Sequence, residues 1–333
     1  MPRLADVTLG RTTTPPAAIE AVDLVKRFGS TVALHGVSFT VPAGSVFGVI
    51  GPNGAGKTTI MRSLLDLIRL TSGRATLLGT DSRDAGPAVR RRIGFLPGEL
   101  TLEGRITGRR LLNYYANISG PVATGRIDDL ADRFDLDLDR TVRTLSKGNK
   151  QKLGIVQAFM HEPDLLLLDE PTSGLDPLMQ QEFLRLVREA RDAGQTIFLS
   201  SHVISEVQQA ADEVAILRDG RIITIAGVDA LRDTAIRHLR LHATGIGVAE
   251  LTTRLTRVDG LGQLTCLPTD LGAEATATLS GAIGPFVQAI APLQLTDLVV
   301  DEPDLEESVL TLYRSPDTIE AEDENSDART VTS

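Results

Sequence analysis

Between residues 18 and 227 the apolar positions follow two alternating rhythms. Strand-like runs at 19–26 and 37–41 precede a continuous apolar run at 46–50. A glycine-rich stretch then leads into residues 57–70, whose apolar side chains recur at helical spacing. The alternation returns further on, with an apolar run at 165–168, a helix near 178–193, a strand at 196–199 and a helix at 203–211. Residues 214–217 and 221–225 flank Asp219-Gly220, a hairpin turn signal. Short continuous apolar strands alternating with helices predict an α/β domain with a mostly parallel sheet covered on both faces. From 228 to 314 the pattern changes to a strand at 238–242 and amphipathic helices at 248–258 and 302–314, which predicts a smaller α+β domain. No internal repeat is visible.

The ends read differently. Residues 1–17 are rich in Thr and Pro and read as a loose leader, without the apolar segment and cleavage site of a signal peptide. The tail, 315–333, is acidic and nearly free of large apolar residues, a composition expected to be disordered. No run of about 18 apolar residues occurs, so no membrane-spanning helix is expected.

Composition narrows the partners. The 333 residues are enough for two domains, and 42% hydrophobic with 23% charged residues is ordinary for a globular protein. With 34 Lys and Arg against 44 Asp and Glu, the net charge of −10 argues against a nucleic-acid surface. Cys266 is the only cysteine, so neither an internal disulfide nor a cysteine metal cluster is expected.

The chemistry concentrates in two stretches. GPNGAGKTT, residues 51–59, fits G-x-x-x-x-G-K-[ST] and lies between the apolar run at 46–50 and a helix, the context this motif requires. Glycines let the backbone wrap a phosphate, so several N–H groups and the helix N-terminus face one anion. Lys57 would reach the β- and γ-phosphates, and the Thr58 hydroxyl would ligate Mg²⁺. LLLLDEP, residues 165–171, places Asp169 at the C-terminal end of a buried strand, where ligands of open α/β sheets bind. Asp169 is suited to hold Mg²⁺, and Glu170 to orient or deprotonate an attacking water. His202, in SSH after the strand at 196–199, is positioned for a γ-phosphate contact. These stretches read as an ATPase or GTPase working with Mg²⁺.

LSKGNKQK, residues 145–152, reads as a tight turn before a helix carrying Leu153, Val156, Gln157 and Met160. Lys147, Lys150 and Lys152 then crowd a helix start, an end that already carries partial positive charge. Either the lysines bend away into water or an anion belongs there.

Taken in order, GPNGAGKTT, LSKGN, LLLLDEP, SGLD at 173–176 and SSH closely resemble the nucleotide-binding subunit of ATP-binding cassette (ABC) transporters, over about residues 19–227. The resemblance implies a P-loop cassette with a helical subdomain and an antiparallel β subdomain, binding ATP with Mg²⁺. It implies ATP contacts from Gly51, Asn53, Gly54, Gly56, Lys57, Thr58, Thr59 and Phe28, the last in place of the family's adenine-stacking aromatic. Without the resemblance, Phe28 reads as a core residue. It further implies that Ser146 and Gly148 bind the γ-phosphate of ATP held by a second subunit. Two subunits would then sandwich two ATP molecules head to tail, with Asp176 at the seam.

The sequence departs from that family at three positions. Lys147 replaces the first glycine of the signature turn LSGGQ and Asn149 its glutamine, while the Ser and second Gly remain. In IGFLPGEL, 93–100, Gly98 stands where the family has a Gln that touches Mg²⁺ and water, and Glu99 follows it.

Residues 104–117, with Arg109, Arg110, Tyr114 and Tyr115, fall where the family docks a separate integral membrane permease. Residues 228–314 resemble the C-terminal extension of drug- and antibiotic-export ATPases, best in DEPDLEESVLTLY at 301–313. The resemblance thus implies the ATPase subunit of an exporter, held on the cytoplasmic face of the membrane by its permease. An importer ATPase and a soluble cassette ATPase remain as alternatives.

Overall fold

The computed structural model describes residues 16–101, 104–234 and 236–301. The tail 315–333, residues 302–314 and residues 1–15 of the leader lie outside the described residues; the last leader residue, Ala17, opens a strand.

In chain order, β1 (Ala17–Phe28), β2 (Thr31–Pro42) and β3 (Val46–Ile50) lead to α1 (Lys57–Leu64). The strands β4 (Ser72–Leu77) and β5 (Thr80–Asp81), the short helix α2 (Pro87–Arg90) and β6 (Ile93–Leu96) follow. Three helices come next, α3 (Gly108–Ser119), α4 (Arg126–Arg133) and α5 (Lys147–Phe159). Then the alternation resumes with β7 (Leu165–Asp169), α6 (Pro177–Asp192), β8 (Thr196–Ser201), α7 (Ile204–Ala210), β9 (Glu213–Arg218) and β10 (Arg221–Gly227). The C-terminal part runs α8 (Val228–Thr234), β11 (Ile236–Thr244), α9 (Val248–Leu255), β12 (Leu261–Thr269), β13 (Gly272–Ser280), α10 (Gly284–Ile290) and β14 (Gln294–Val300). No described helix is long and apolar enough to cross a membrane.

By contact density the described residues form two compact units, one of residues up to 45 together with 58–198, the other of 46–57 together with residues from 199 onward. In the first unit, β2, β1, β4 and β5 make an antiparallel sheet in that order, with Ile19 opposite both Val41 and Leu77. β6 pairs in parallel with β7, Ile93 facing Leu165 and Leu96 facing Leu168, and all five residues of β7 are buried. A continuous Leu-Leu-Leu-Leu run is what a strand covered on both faces requires. Phe159 of α5 meets Phe183 of α6 edge to face at 6.3 Å. Arg133 of α4 reaches Glu182 and Glu189 of α6, and the Glu189 pairing holds its carboxyl below the usual carboxylate range.

In the second unit β3 pairs in parallel with β9, and β9 in antiparallel with β10. Asp219 and Gly220 both take positive φ, 48° and 72°, as a two-residue type I′ hairpin turn requires. β12, β13, β11 and β14 form an antiparallel sheet in that order, with α9 and α10 in the connections. This β-α-β-β-α-β order is that of ferredoxin-like units. Leu239, Leu241, Ala243, Ala273, Ala275 and Leu279 pack with Leu251, Leu255, Phe286 and Ile290 into the core of that sheet and its helices.

Several predicted bounds shift, among them the helix expected over 248–258, which ends at Leu255, and two shifts have a clear local cause. The helix expected over 57–70 stops at Leu64, although apolar residues continue beyond it. Asp66 takes the left-handed conformation at φ 53°, and the N–H groups of Leu67 and Ile68 turn back to the Arg62 carbonyl. The turn expected at LSKGN is shorter than the sequence suggests, because Lys147, Gly148 and Asn149 already belong to α5.

Candidate nucleotide site

The phosphate-loop motif follows β3 directly. Gly51 and Ala55 are buried, whereas Pro52, Asn53 and Gly54 are exposed at the tip. Gly54 and Gly56 take φ of 85° and 111°, conformations that a side chain disfavours. Lys57 is buried at the first position of α1 and donates its ammonium to the carbonyls of Gly51 at 2.6 Å and Pro52 at 3.2 Å. That holds the cation over the loop, at a helix start whose free N–H groups already favour an anion. Thr58 and Thr59 follow it in α1, half-buried. His202 comes directly after β8 and is exposed.

The second chemical stretch ends β7. Asp169 is only 2% exposed, and a β-carbon on Gly98 would stand 3.1 Å from its Oδ2. Glu170 takes φ 48°, a left-handed backbone that costs a residue with a side chain about 1–2 kcal/mol. The structure therefore brings Gly98 beside Asp169; Glu99 is exposed.

Ser146 is the N-cap of α5, its hydroxyl accepting from the Asn149 N–H at 3.2 Å. The lysines that follow do not all bend into water. Lys147 donates to Ser173 Oγ at 3.2 Å, and Lys152 is buried. Gly148 is required by proximity, since a β-carbon there would lie 2.6 Å from the Gly174 carbonyl. Asp176 caps α6, accepting from the N–H groups of Leu178 and Met179 at 3.1 Å each. Asp-Pro at 176–177 is a helix-start signal in its own right.

Phe28 is not a core residue. It ends β1 with 51% of its surface exposed, and the Lys26 ammonium lies 4.6 Å from its ring centroid. Within residues 104–117, Arg109 pairs with Asp128 at 2.5 Å and Asp139 at 3.2 Å, both of which raise its pKa. Its charge thus ties α3 to α4 and the 137–139 loop. Tyr114 is 60% exposed and touches Tyr115 edge to face at 5.9 Å.

One residue that sequence reasoning missed stands among these. Gln151, 3% exposed, donates to the carbonyls of Glu170 at 3.2 Å and Pro171 at 2.8 Å. Its only sequence signal is a polar residue on a face of α5 that is otherwise buried.

The family model described as ABC transporter matches residues 34–173. The daunorubicin/doxorubicin resistance ATP-binding protein DrrA of Streptomyces peucetius is 37% identical over 238 residues, 69% of this chain and 72% of that protein. The daunorubicin resistance ATP-binding protein DrrA3 of Streptomyces coeruleorubidus is 35% identical over 300 residues, 86% of this chain and 93% of that protein. Among solved structures, an ATP-binding subunit of an ABC transporter superposes with a TM-score of 0.60 at 30% identity, covering 65% of this chain and 92% of that one. The fold is therefore that of an ABC ATPase cassette, with parallel and antiparallel sheets as the sequence predicts. A phosphate loop on a buried lysine, a buried strand ending in Asp169-Glu170 and a serine-capped signature helix are what this likeness requires, and the chain belongs to the ABC transporter family as one of its ATP-binding, ATP-hydrolysing proteins.

Proposed function

We propose that this chain is the ATPase subunit of a drug- or antibiotic-type exporter, that it powers a separate integral membrane permease, and that this permease holds it on the cytoplasmic face of the membrane. The observation that supports this most is the 300-residue match to DrrA3, which spans 93% of that resistance protein. So long a match extends past any cassette ending near residue 227. The proposed division is therefore a cassette over 18–227 and an accessory domain over 228–314, flanked by the leader 1–17 and tail 315–333.

The residues fit ATP with a divalent cation. The glycine loop and the start of α1 present N–H groups to phosphate, and Lys57 adds a cation held over that loop. Thr58 and Asp169 are the Mg²⁺ ligands in this reading, and the ion's role is to neutralise charge on the transferring phosphoryl group. Glu170 orients and deprotonates the attacking water, and His202 contacts the γ-phosphate. Phe28 offers its exposed ring to adenine. Gly51, Asn53, Gly54, Gly56 and Thr59 complete the loop around the phosphates. Ser146 and Gly148 bind the γ-phosphate of ATP held by a paired subunit, in a head-to-tail dimer that closes on two ATP molecules and reopens after hydrolysis.

The test is to tag the chain in its own cell, solubilise the membranes gently and identify what purifies with it. A stoichiometric multi-span membrane protein is the expected result. Recovery of the chain with no membrane protein would overturn the exporter reading in favour of a soluble cassette ATPase.

A further inference from the structure

The start of α5 is fastened to the loop that follows β7 at three points. Farthest out, Lys147 donates to Ser173 Oγ at 3.2 Å. Next, Gly148 packs so closely on the Gly174 carbonyl that no side chain fits between them. Innermost, the buried amide of Gln151 donates to the Pro171 carbonyl at 2.8 Å and to the Glu170 carbonyl at 3.2 Å. The Glu170 carbonyl also accepts from the Ser173 N–H at 3.1 Å, so two donors fix the direction of that oxygen.

Those two donors act on a strained residue. Glu170 holds φ 48°, and a non-glycine residue keeps such a conformation only where its surroundings over-determine it. The Gln151 amide is a side-chain donor to this peptide, and it comes from the helix whose first turn carries Ser146 and Gly148. The position of α5 and the peptide of Glu170 are therefore linked through a buried amide.

We propose that Gln151 is a positioning residue for ATP hydrolysis, which aims the Glu170 carboxylate by holding its strained peptide and so makes that aim depend on where the signature helix sits. The inference rests on the roles proposed above for Glu170 and the signature turn. In a head-to-tail pair, Ser146 and Gly148 of one chain grip the ATP held by its partner. Gln151 then carries the state of that grip to the base acting on the chain's own ATP. A displaced α5 turns Glu170 away from the water, and hydrolysis waits until both nucleotides are seated.

The test is Gln151→Met, which keeps the length and volume of the side chain and removes the amide that donates to Glu170 and Pro171. With Glu170 misaimed, kcat should fall about 10- to 100-fold while KM for ATP stays within about threefold. ATP should still trap a dimer of the double variant Gln151→Met with Glu170→Gln as it traps Glu170→Gln alone, because the signature contact is untouched. A folded Gln151→Met with kcat within twofold of the unmodified chain, while Glu170→Gln is inactive, overturns the proposal and leaves the base assignment standing. Full turnover by Glu170→Gln overturns the underlying reading instead. Gln151→Asn, which keeps the amide but shortens its reach, guards against misfolding. If both Gln151 variants lose the folded state in a thermal melt, Gln151 is a stability residue and the proposal is wrong.

Discussion

A β-carbon on Gly98 would stand 3.1 Å from Oδ2 of Asp169 and 3.3 Å from its Cγ, so the loop after β6 leaves little room beside that carboxylate. The carboxylate is buried, so a side chain at residue 98 requires the loop or Asp169 to give by a few tenths of an ångström.

Gly98→Ala should therefore lower kcat about 3- to 10-fold and raise the Mg²⁺ concentration needed for half-maximal rate, since sub-ångström shifts at a reacting centre already slow catalysis. Gly98→Gln, which restores the family's residue but not its room, should do no better. Steady-state ATPase assays across a Mg²⁺ titration decide the matter. An unchanged profile for both variants means that Asp169 tolerates the crowding.

Phe28→Ala should raise KM for ATP roughly 3- to 10-fold and leave kcat within twofold, because stacking on an aromatic face contributes about 0.5–1.5 kcal/mol to ground and transition states alike. The ring is already half-exposed, so the melting temperature should barely move. A large drop in melting temperature with KM unchanged would return Phe28 to a packing role.

Lys57→Ala should abolish measurable ATP binding in equilibrium titration. The ammonium sits on the carbonyls of Gly51 and Pro52, and its loss removes the cation held over the phosphate loop. Binding within threefold of the unmodified chain would remove Lys57 from the site.

Stability should depend on His161, whose pKa burial lowers against a smaller opposing effect of the Ile93 backbone. The unfolded chain then takes up this proton at a higher pH than the folded one. The His161 contribution is fully present above its ordinary pKa of 6.5 and is lost as pH falls from there through the lower folded value. Glu189 acts in a separate, more acidic window, because Arg133 holds its pKa below the ordinary 4.5. Thermal melts between pH 7.5 and 5.5 should show a steeper loss for the unmodified chain than for His161→Gln. Parallel curves would show that His161 titrates alike in both states.

How much of this was legible in the sequence depended on how many signals coincided. At residues 46–59 an apolar strand, a glycine loop and a Lys-Thr helix start all point to one structure, and it is the one observed. The four leucines before Asp169 are equally plain. The ferredoxin-like unit was only half visible, because β13 buries Ala273, Ala275 and Ala277, side chains too small to mark a strand. β4, SGRATL, is short and weakly apolar for the same reason. The substitution at Gly98 could be read, but the carboxylate behind it could not, since that contact joins residues 71 positions apart in the chain. Gln151 gave only the weak signal of a polar residue on a buried helix face. Its partners are backbone carbonyls, and no residue type in the sequence identifies those.

The proposed base, Glu170, should be needed for turnover but not for nucleotide binding at the phosphate loop and signature turn. Steady-state ATP hydrolysis by Glu170→Gln, with ATP binding measured on the same sample, decides this. Binding should stay within about threefold of the unmodified chain while turnover falls at least about 100-fold, in line with the loss of a general base. Full turnover by a variant that binds ATP normally would contradict it.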